Sequence, residues 1–342
     1  MSTGAPELVT SIAIPRAGSV EVVSQELTPE PLQNGEVRLR PLYLGICGSD
    51  LHILHGRHPV GHPPVILGHE MSAVVTEVGP GVTGLAVGDT AIVDPILGCG
   101  TCSACQSDRP NLCFPPLVAG VRAPGFGRTC HTMPAANVHV AQPSIPAEAV
   151  TLAEPGACAS HCIRRLRPEH SADVLVIGAG TIGLSIIQAL RITGAGQITV
   201  IEPHPGKRAL ALALGAQAAL PPEELAPERT FSGVIDVVLS QPTLDDAVAR
   251  VVPGGRVVMM GVPAGRLSFD TAMSQRFEQD LIGSGMYEPR DFERALDWIA
   301  SGSFVTAPLI SAVFDIDDAA LAVTRAEEPD SIKVLIRLNQ ER

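Results

Sequence analysis

A chain of 342 residues exceeds the ~250–300 at which a single hydrophobic core stops growing, so two domains are expected. Its 24 basic and 36 acidic side chains give a formal charge of −12. The basic ones are scattered, the densest group being Arg164, Arg165 and Arg167, so no stripe is there to grip a phosphate backbone and nucleic acid is excluded as a partner. The longest apolar run, Val174 to Leu190, falls short of the ~20 residues of a membrane span and contains three glycines, so it reads as buried rather than lipid-facing.

The opening stretch MSTGAPELVTSIAIPRAG shows neither the basic n-region nor the apolar h-region of an export signal. A cytoplasmic location with reduced thiols is therefore expected. The first 150 residues or so are rich in Gly and Pro, with short β-branched runs at Glu36 to Leu42, Ser72 to Val78 and Thr90 to Val93, the texture of a small all-β domain. Within it GICGSDLH supplies Cys47, GHE supplies His69 and Glu70, and AEP supplies Glu154. A thiolate, an imidazole and a carboxylate form an acceptable set for a zinc that keeps one position open. Taken singly, plainer explanations are better: Cys47 as a small buried hydrophobe, His69 as a core histidine, Glu154 as a loop acid.

The stretch GCGTCSACQSDRPNLC carries Cys99, Cys102, Cys105 and Cys113 in C-x2-C-x2-C-x7-C spacing, which lets four thiolates converge on one tetrahedral zinc. Paired disulfides are the alternative, but those frameworks belong to small secreted domains. A site with four protein ligands is closed, so it holds structure and does no chemistry.

From Asp173 the texture alternates: VLVI, a helix to Arg191, QITVIE, a helix through Leu214, GVIDVVLS, a helix over Thr243 to Val251, GRVVMMGV and a last strand at Asp280 to Ser284. This order predicts a doubly wound parallel sheet, a Rossmann domain within an α/β fold. Pro289 to Ser301 reads as an amphipathic helix, and KVLIRL as a strand returning to the first domain. Gly178-Ala179-Gly180-Thr181-Ile182-Gly183 follows strand residues and opens a helix, where G-x-G-x-x-G binds a dinucleotide. Glu202 closes the next strand, where a carboxylate can accept the ribose hydroxyls and repel a 2′-phosphate, so NAD is favoured over NADP. Lys207 and Arg208 follow, and their charge could reach a phosphate.

CGSDLH, then GHE, then the cysteine quartet, then the glycine fingerprint is an order in which the chain resembles the zinc-dependent medium-chain dehydrogenases, the alcohol dehydrogenase superfamily, from end to end. GICGSDLH, VILGHE and AEPGACASH look most similar to its polyol (sorbitol) and threonine dehydrogenase branch. The resemblance implies a GroES-like β-rich catalytic domain over 1–155 and 286–342, with the structural zinc lobe at 98–114 and the Rossmann domain at 156–285. It implies two zinc ions per chain, Cys47, His69 and Glu154 as ligands of the catalytic one, Glu70 as a neighbour able to enter or leave the coordination sphere, and Asp50 as the acceptor fixing the tautomer of His69. Between Glu70 and Glu154 the sequence leaves the choice of ligand open. The implied reaction passes hydride from an alcohol to nicotinamide, while the proton leaves through Ser49, the cofactor ribose hydroxyls and His52. Pairing of cofactor domains through the edge strand near Asp280 to Ser284, in a homodimer or homotetramer, is implied as well.

Departures from the family pattern bear on the substrate. PGFGRTCHT stands where GGFAEY is usual, bringing in Gly127, Arg128 and Cys130; Met286 stands in Gly283-Ser284-Gly285-Met286-Tyr287 where polyol dehydrogenases tend to carry an arginine. An open-chain sugar alcohol is thereby disfavoured. LPPEELAPERT is short and predicts a reduced helix at one sheet edge, and Ser240-Gln241-Pro242 replaces a glycine-containing turn. The leading expectation is an NAD- and zinc-dependent dehydrogenase of a secondary alcohol, cyclic polyol or amino alcohol, a small-molecule substrate. The alternatives are an NADP-dependent reductase of a carbonyl, iminium or activated alkene, and a non-catalytic zinc-containing binding protein.

Overall fold

Two sheets build the first unit, Met1–Glu154 with Ile310–Arg342, in the computed structural model, which describes residues 6–168 and 172–340. A three-stranded sheet runs Glu21–Leu27, Glu7–Ile14, Val65–Ile66. The larger runs Ile310–Asp315, Lys333–Arg337, Glu36–Ile46, Glu70–Val78, Thr90–Val93, Val138–Val140, with His131–Pro134 also pairing Glu36–Ile46. Alternation in EVRLRPLYLGI buries one face first and both faces from Pro41 onward, which makes this the central strand of the unit. Leu39, Leu44, Met71, Val75 and Phe126 form part of its core, each worth ~1.5–3 kcal/mol of transfer free energy.

Register brings the chemistry to one end of this sheet. Gly45 pairs with Glu70, and Ile46 with Val334. Cys47, Glu70 and Lys333 therefore meet although the chain separates them widely.

The second unit, Pro155–Leu309, is built on a six-stranded sheet in the order Ala218–Leu220, Gln197–Ile201, Asp173–Ile177, Phe231–Asp236, Val251–Met259, Asp280–Gly283. Every neighbouring pair in it is parallel. The strand Asp173–Ile177 lies inside the sheet and is followed by the helix Thr181–Thr193, which stops where Gly194, at φ +80°, takes the left-handed conformation and donates to Arg191 and Leu190 carbonyls. Among the described residues no helix is long and apolar enough to cross a membrane.

Two local features differ from the sequence reading, at a helix start and at the return to the first unit, and the sheet edge holds the reduced helix expected. The helix expected from Thr243 begins at Gln241, because Ser240 caps it: its Oγ accepts from the Thr243 N–H, and Pro242 suits the first turn. At the sheet edge a single 3₁₀ turn, Pro222–Glu224, stands between the strands Ala218–Leu220 and Phe231–Asp236. The chain rejoins the first unit at Ile310 rather than at 286. The helix Pro289–Ala300 stays with the second unit, where Asp291 accepts from Ser160 Oγ at 2.7 Å and from Arg164 Nε at 2.9 Å.

Candidate metal centres and nucleotide cradle

All eight cysteines are free thiols. Cys99, Cys102, Cys105 and Cys113 converge with their sulfurs within 4.8 Å of one another. Backbone amides already point at these sulfurs: Cys102 N–H donates to Cys99 at 3.3 Å, Cys105 N–H to Cys102 at 3.5 Å, and Cys99 N–H to Cys113 at 3.5 Å. Hydrogen bonds from Thr101 and Cys102 pull the Cys99 thiol down to about 5, and a thiolate is the form that binds metal. Four cysteine sulfurs converging within one loop fit a tetrahedral zinc.

A second group, Cys47 with His69 and Glu70, also has one ligand atom from each within 4.8 Å of the others. Cys47 caps the helix Gly48–Leu54, donating its N–H to Asp50 Oδ2 at 2.8 Å. The other carboxylate oxygen of Asp50 lies 3.4 Å from His69 Nδ1. Burial alone would lower the pKa of His69, but the Asp50 carboxylate and then Cys47 outweigh it and raise it well above the ordinary value. Thiolate, imidazole and carboxylate suit zinc, with fewer than four protein ligands and so room for a substrate atom.

Glu154, in the first turn of the helix Ala153–Leu166, is buried at 4 % exposure but lies outside that group of three. Its charge acts on Lys333 and on Asp94. Asp94 is itself buried, and its carboxyl is pushed up to about 7 by burial, against the hydrogen bond from Ile96 N–H and with help from Glu154.

Ser49 and His52 sit three apart on the helix Gly48–Leu54, which makes them neighbours on its surface. Both are half-buried. Burial, then the charges of Arg57 and His55, lower the pKa of His52, leaving it neutral near pH 7 and able to take a proton.

Sequence reading missed Lys333. It is 2 % exposed, with Nζ donating to Glu70 Oε1 at 2.7 Å and Oε2 at 2.6 Å and to the Ile46 carbonyl at 3.0 Å. Desolvation lowers its pKa, yet Glu70, Cys47 and Glu154 raise it overall, so it stays charged. A lysine at the head of a strand, far along the chain from every motif, gives no sequence signal of burial. Gly45 carries the matching signal, equally invisible beforehand: a Cβ there would stand 2.1 Å from Glu70 Oε2.

In the second unit the three fingerprint glycines play different roles. Gly178 has φ +99°, and a Cβ on it would meet Val237 and Val238 at 2.9 Å. A Cβ on Gly183 would lie 2.0 Å from the Gly178 carbonyl oxygen, whereas one on Gly180 would meet nothing within 4 Å. Gly180 caps the helix Thr181–Thr193 without a side-chain hydrogen bond. Open space above a helix N-terminus that begins at a glycine suits a pyrophosphate; Thr181 and Ile182 form the first helical turn there. Glu202 is buried, its Oε2 accepting from Ala179 N–H and its Oε1 from His204 N–H, both at 2.8 Å. Arg208 is turned away onto the Glu202 and Pro203 carbonyls, and Lys207 is half-buried on the same helix, Pro205–Ala213. Among the substrate-side candidates, Arg128 is half-buried with Nε lacking a hydrogen-bond partner, the Cys130 thiol is pushed up to about 11 chiefly by burial, and Met286 holds a left-handed φ of +53°.

Comparison with known proteins points in the same direction. Residues 33–143 match the family model of the alcohol dehydrogenase GroES-like domain, and residues 181–301 that of zinc-binding dehydrogenase. The chain is 32 % identical over 320 residues to 2-dehydro-3-deoxy-L-galactonate 5-dehydrogenase of Pseudoalteromonas atlantica, covering 90 % of this chain and 93 % of the relative. A zinc-binding dehydrogenase structure from Sinorhizobium meliloti 1021, bound to NADP, superposes with a TM-score of 0.90 at 26 % identity, covering 97 % of this chain and 99 % of that one. One from Escherichia coli CFT073, described as a short chain alcohol dehydrogenase and complexed with NADH, gives 0.89 at 28 % identity, covering 96 % and 99 %.

Proposed function

Since the chain belongs to the zinc-dependent medium-chain dehydrogenases, in their polyol and threonine dehydrogenase-like branch, and is an alcohol–ketone oxidoreductase of that superfamily, we propose a substrate, metal content and cofactor for it. The substrate is a secondary alcohol on a polyhydroxylated or amino-alcohol skeleton, the chain carries two zinc ions, and NAD is its nucleotide. The convergence of Cys47, His69 and Glu70 within 4.8 Å carries the metal assignment. The sugar-acid dehydrogenase among the relatives supports the substrate class.

Zinc at the Cys47 and His69 centre would supply Lewis acidity, and NAD a hydride acceptor. The protein does the rest. Asp50 sits by His69 Nδ1 at 3.4 Å, and so orients the imidazole to present Nε2. Ser49 Oγ would accept the substrate hydroxyl proton while giving up its own, and His52, on the same helix face, would release a proton to solvent at the end of the relay. Glu202 carries the nucleotide preference: its carboxylate is fixed by two backbone N–H groups, where it can accept ribose hydroxyls and where a 2′-phosphate would meet a buried negative charge. A homo-oligomer formed through the edge strand Asp280–Gly283 completes the proposal.

Metal analysis of the purified protein, joined to a screen of secondary alcohols and ketones with NAD and NADP in parallel, tests the metal, substrate and cofactor. Two zinc equivalents and faster turnover with NAD are expected. One zinc equivalent, confined to the cysteine quartet, would defeat the assignment of the reacting centre.

A further inference from the structure

The loop that follows the helix Gly48–Leu54 turns back on it and buries a histidine. The Arg57 and His58 N–H groups both donate to the His52 carbonyl, at 2.7 and 3.2 Å, and Gly61 closes the loop where a Cβ would stand 2.9 Å from Ile53 Cδ1 and Val121 Cγ1. His58 is left 8 % exposed. Its Nδ1 accepts from the Gly61 N–H at 2.8 Å and from the Val60 N–H at 3.3 Å. A neutral imidazole has one N–H and one bare nitrogen, so a ring whose Nδ1 accepts carries its proton on Nε2. An imidazolium would set a third N–H against those two donors. Burial, then the charges of His52 and His69, lower the pKa of the ring as well, against an upward pull from Asp50.

His58 is thus a fixed donor with nothing in the chain to donate to. Among the described residues Nε2 has no hydrogen-bond partner, and it is not sealed from solvent as Nδ1 of His69 and Nδ1 of His204 are. Asp50, the carboxylate whose charge reaches the ring, is turned to the Cys47 N–H and to His69 Nδ1. We propose that His58 is a specificity-determining residue: its Nε2–H donates to a second oxygen of the substrate, a carboxylate or hydroxyl oxygen apart from the alcohol group being oxidised. The place fits, because the ring is tied to the helix that carries Ser49 and His52 and feels the charges of Asp50 and His69. The inference rests on the reading of that neighbourhood as the reacting centre and narrows its substrates to secondary alcohols that carry a further oxygen acceptor. A site with an unmet donor discriminates strongly for a ligand that supplies the acceptor.

Three four-carbon secondary alcohols read the contact: 2-butanol with no second oxygen, 2,3-butanediol with a second hydroxyl, and 3-hydroxybutyrate with a carboxylate. Wild-type kcat/KM should favour at least one of the last two over 2-butanol by roughly ten- to a hundredfold. His58→Asn puts its Oδ1 near the place of Nδ1, where it can still accept from Gly61, and removes the Nε2 donor. It should take at least about tenfold from that preference, mainly by raising KM. His58→Gln, whose amide N–H can reach the place of Nε2, should retain most of it. Loss confined to 3-hydroxybutyrate assigns the acceptor as a carboxylate, loss confined to the diol as a hydroxyl, and loss on both as an oxygen of either kind.

Equal wild-type kcat/KM on all three, a preference that survives in His58→Asn, or a fall there that is the same on all three would overturn the proposal, the last by showing that His58 only staples its loop. If His58→Asn does not fold, proton–nitrogen NMR spectra of the wild-type histidine rings, assigned with His58→Gln, decide alone. A proton on Nδ1 of His58 overturns the proposal, and one on Nε2 upholds it. A zinc-loaded protein that oxidises none of the three alcohols with NAD or NADP would instead refute the secondary-alcohol reading on which the proposal stands.

Discussion

Gly183→Ala set beside Gly180→Ala separates packing from nucleotide binding in the fingerprint turn. A Cβ on Gly183 would stand 2.0 Å from the Gly178 carbonyl oxygen and 2.9 Å from its carbon. Carbon and oxygen ordinarily approach to about 3.3 Å, so the helix Thr181–Thr193 must slide outward by about 1 Å or the turn must flatten. Neither is easy, because the obstructing atom is backbone and Gly178 is held at φ +99° with Val237 and Val238 beside it. Overpacking of this kind costs at least the upper end of ~1–3 kcal/mol, and the better helix propensity of alanine offsets about 1 kcal/mol. A net loss of about 2–3 kcal/mol is expected, with weakened NAD binding. Gly180→Ala meets nothing within 4 Å and costs at most about 1 kcal/mol as a poorer helix cap. Its Cβ enters the space a pyrophosphate would occupy, so binding should fall tenfold or more, equivalent to about 1.4 kcal/mol. Urea unfolding of both variants, with NAD titrations by calorimetry, measures each quantity. Equal stability losses in the two variants, or undiminished NAD affinity in Gly180→Ala, would refute the division of labour.

The remaining predictions are shorter. Cys105→Ser should remove one of two zinc equivalents and destabilise the lobe at 98–114 while the other equivalent stays, as read by metal analysis and proteolysis of the loop. Ser49→Ala should lower turnover by roughly 10²–10⁴ with zinc content unchanged; full activity would remove the hydroxyl from the proton path. Glu202→Ala should narrow the preference for NAD over NADP in kcat/KM, and it also frees the Ala179 N–H, which costs about 1–3 kcal/mol if left unpaired. Asp291, 0 % exposed, accepts from Ser160, Arg164, His161 and the Glu288 N–H, and these hydrogen bonds overcome burial to hold its carboxyl well below the usual range. A folded pKa below the unfolded value of about 3.9 gives stability that is present above that value and lost progressively as pH falls from it through the lower folded value. Asp291→Asn should therefore be less stable at pH 7 and should flatten the loss of stability below pH 5, as followed by urea unfolding across pH. An acid limb as steep as in the wild type would exclude this residue as its source.

The sequence by itself determined whatever depends on neighbours close along the chain. Four cysteines within one loop can reach a common point whatever surrounds them, and a strand, three glycines and a helix are a local arrangement, so the quartet and the cradle at Gly178, Gly180 and Gly183 were legible. Alternating strands and helices from Asp173 likewise imply a parallel sheet, because parallel neighbours need long crossovers and these usually carry a helix. Only the tertiary structure decided the surroundings of the reacting centre. Lys333 reaches Glu70 because two strands from opposite ends of the chain flank Glu36–Ile46 in register, and the buried lysine looks like any surface lysine when read in order. Glu70 and Glu154 could not be told apart beforehand for the same reason. Their difference, Glu70 standing with Cys47 and His69 and Glu154 outside that group, is set by long-range pairing rather than by the residues beside them.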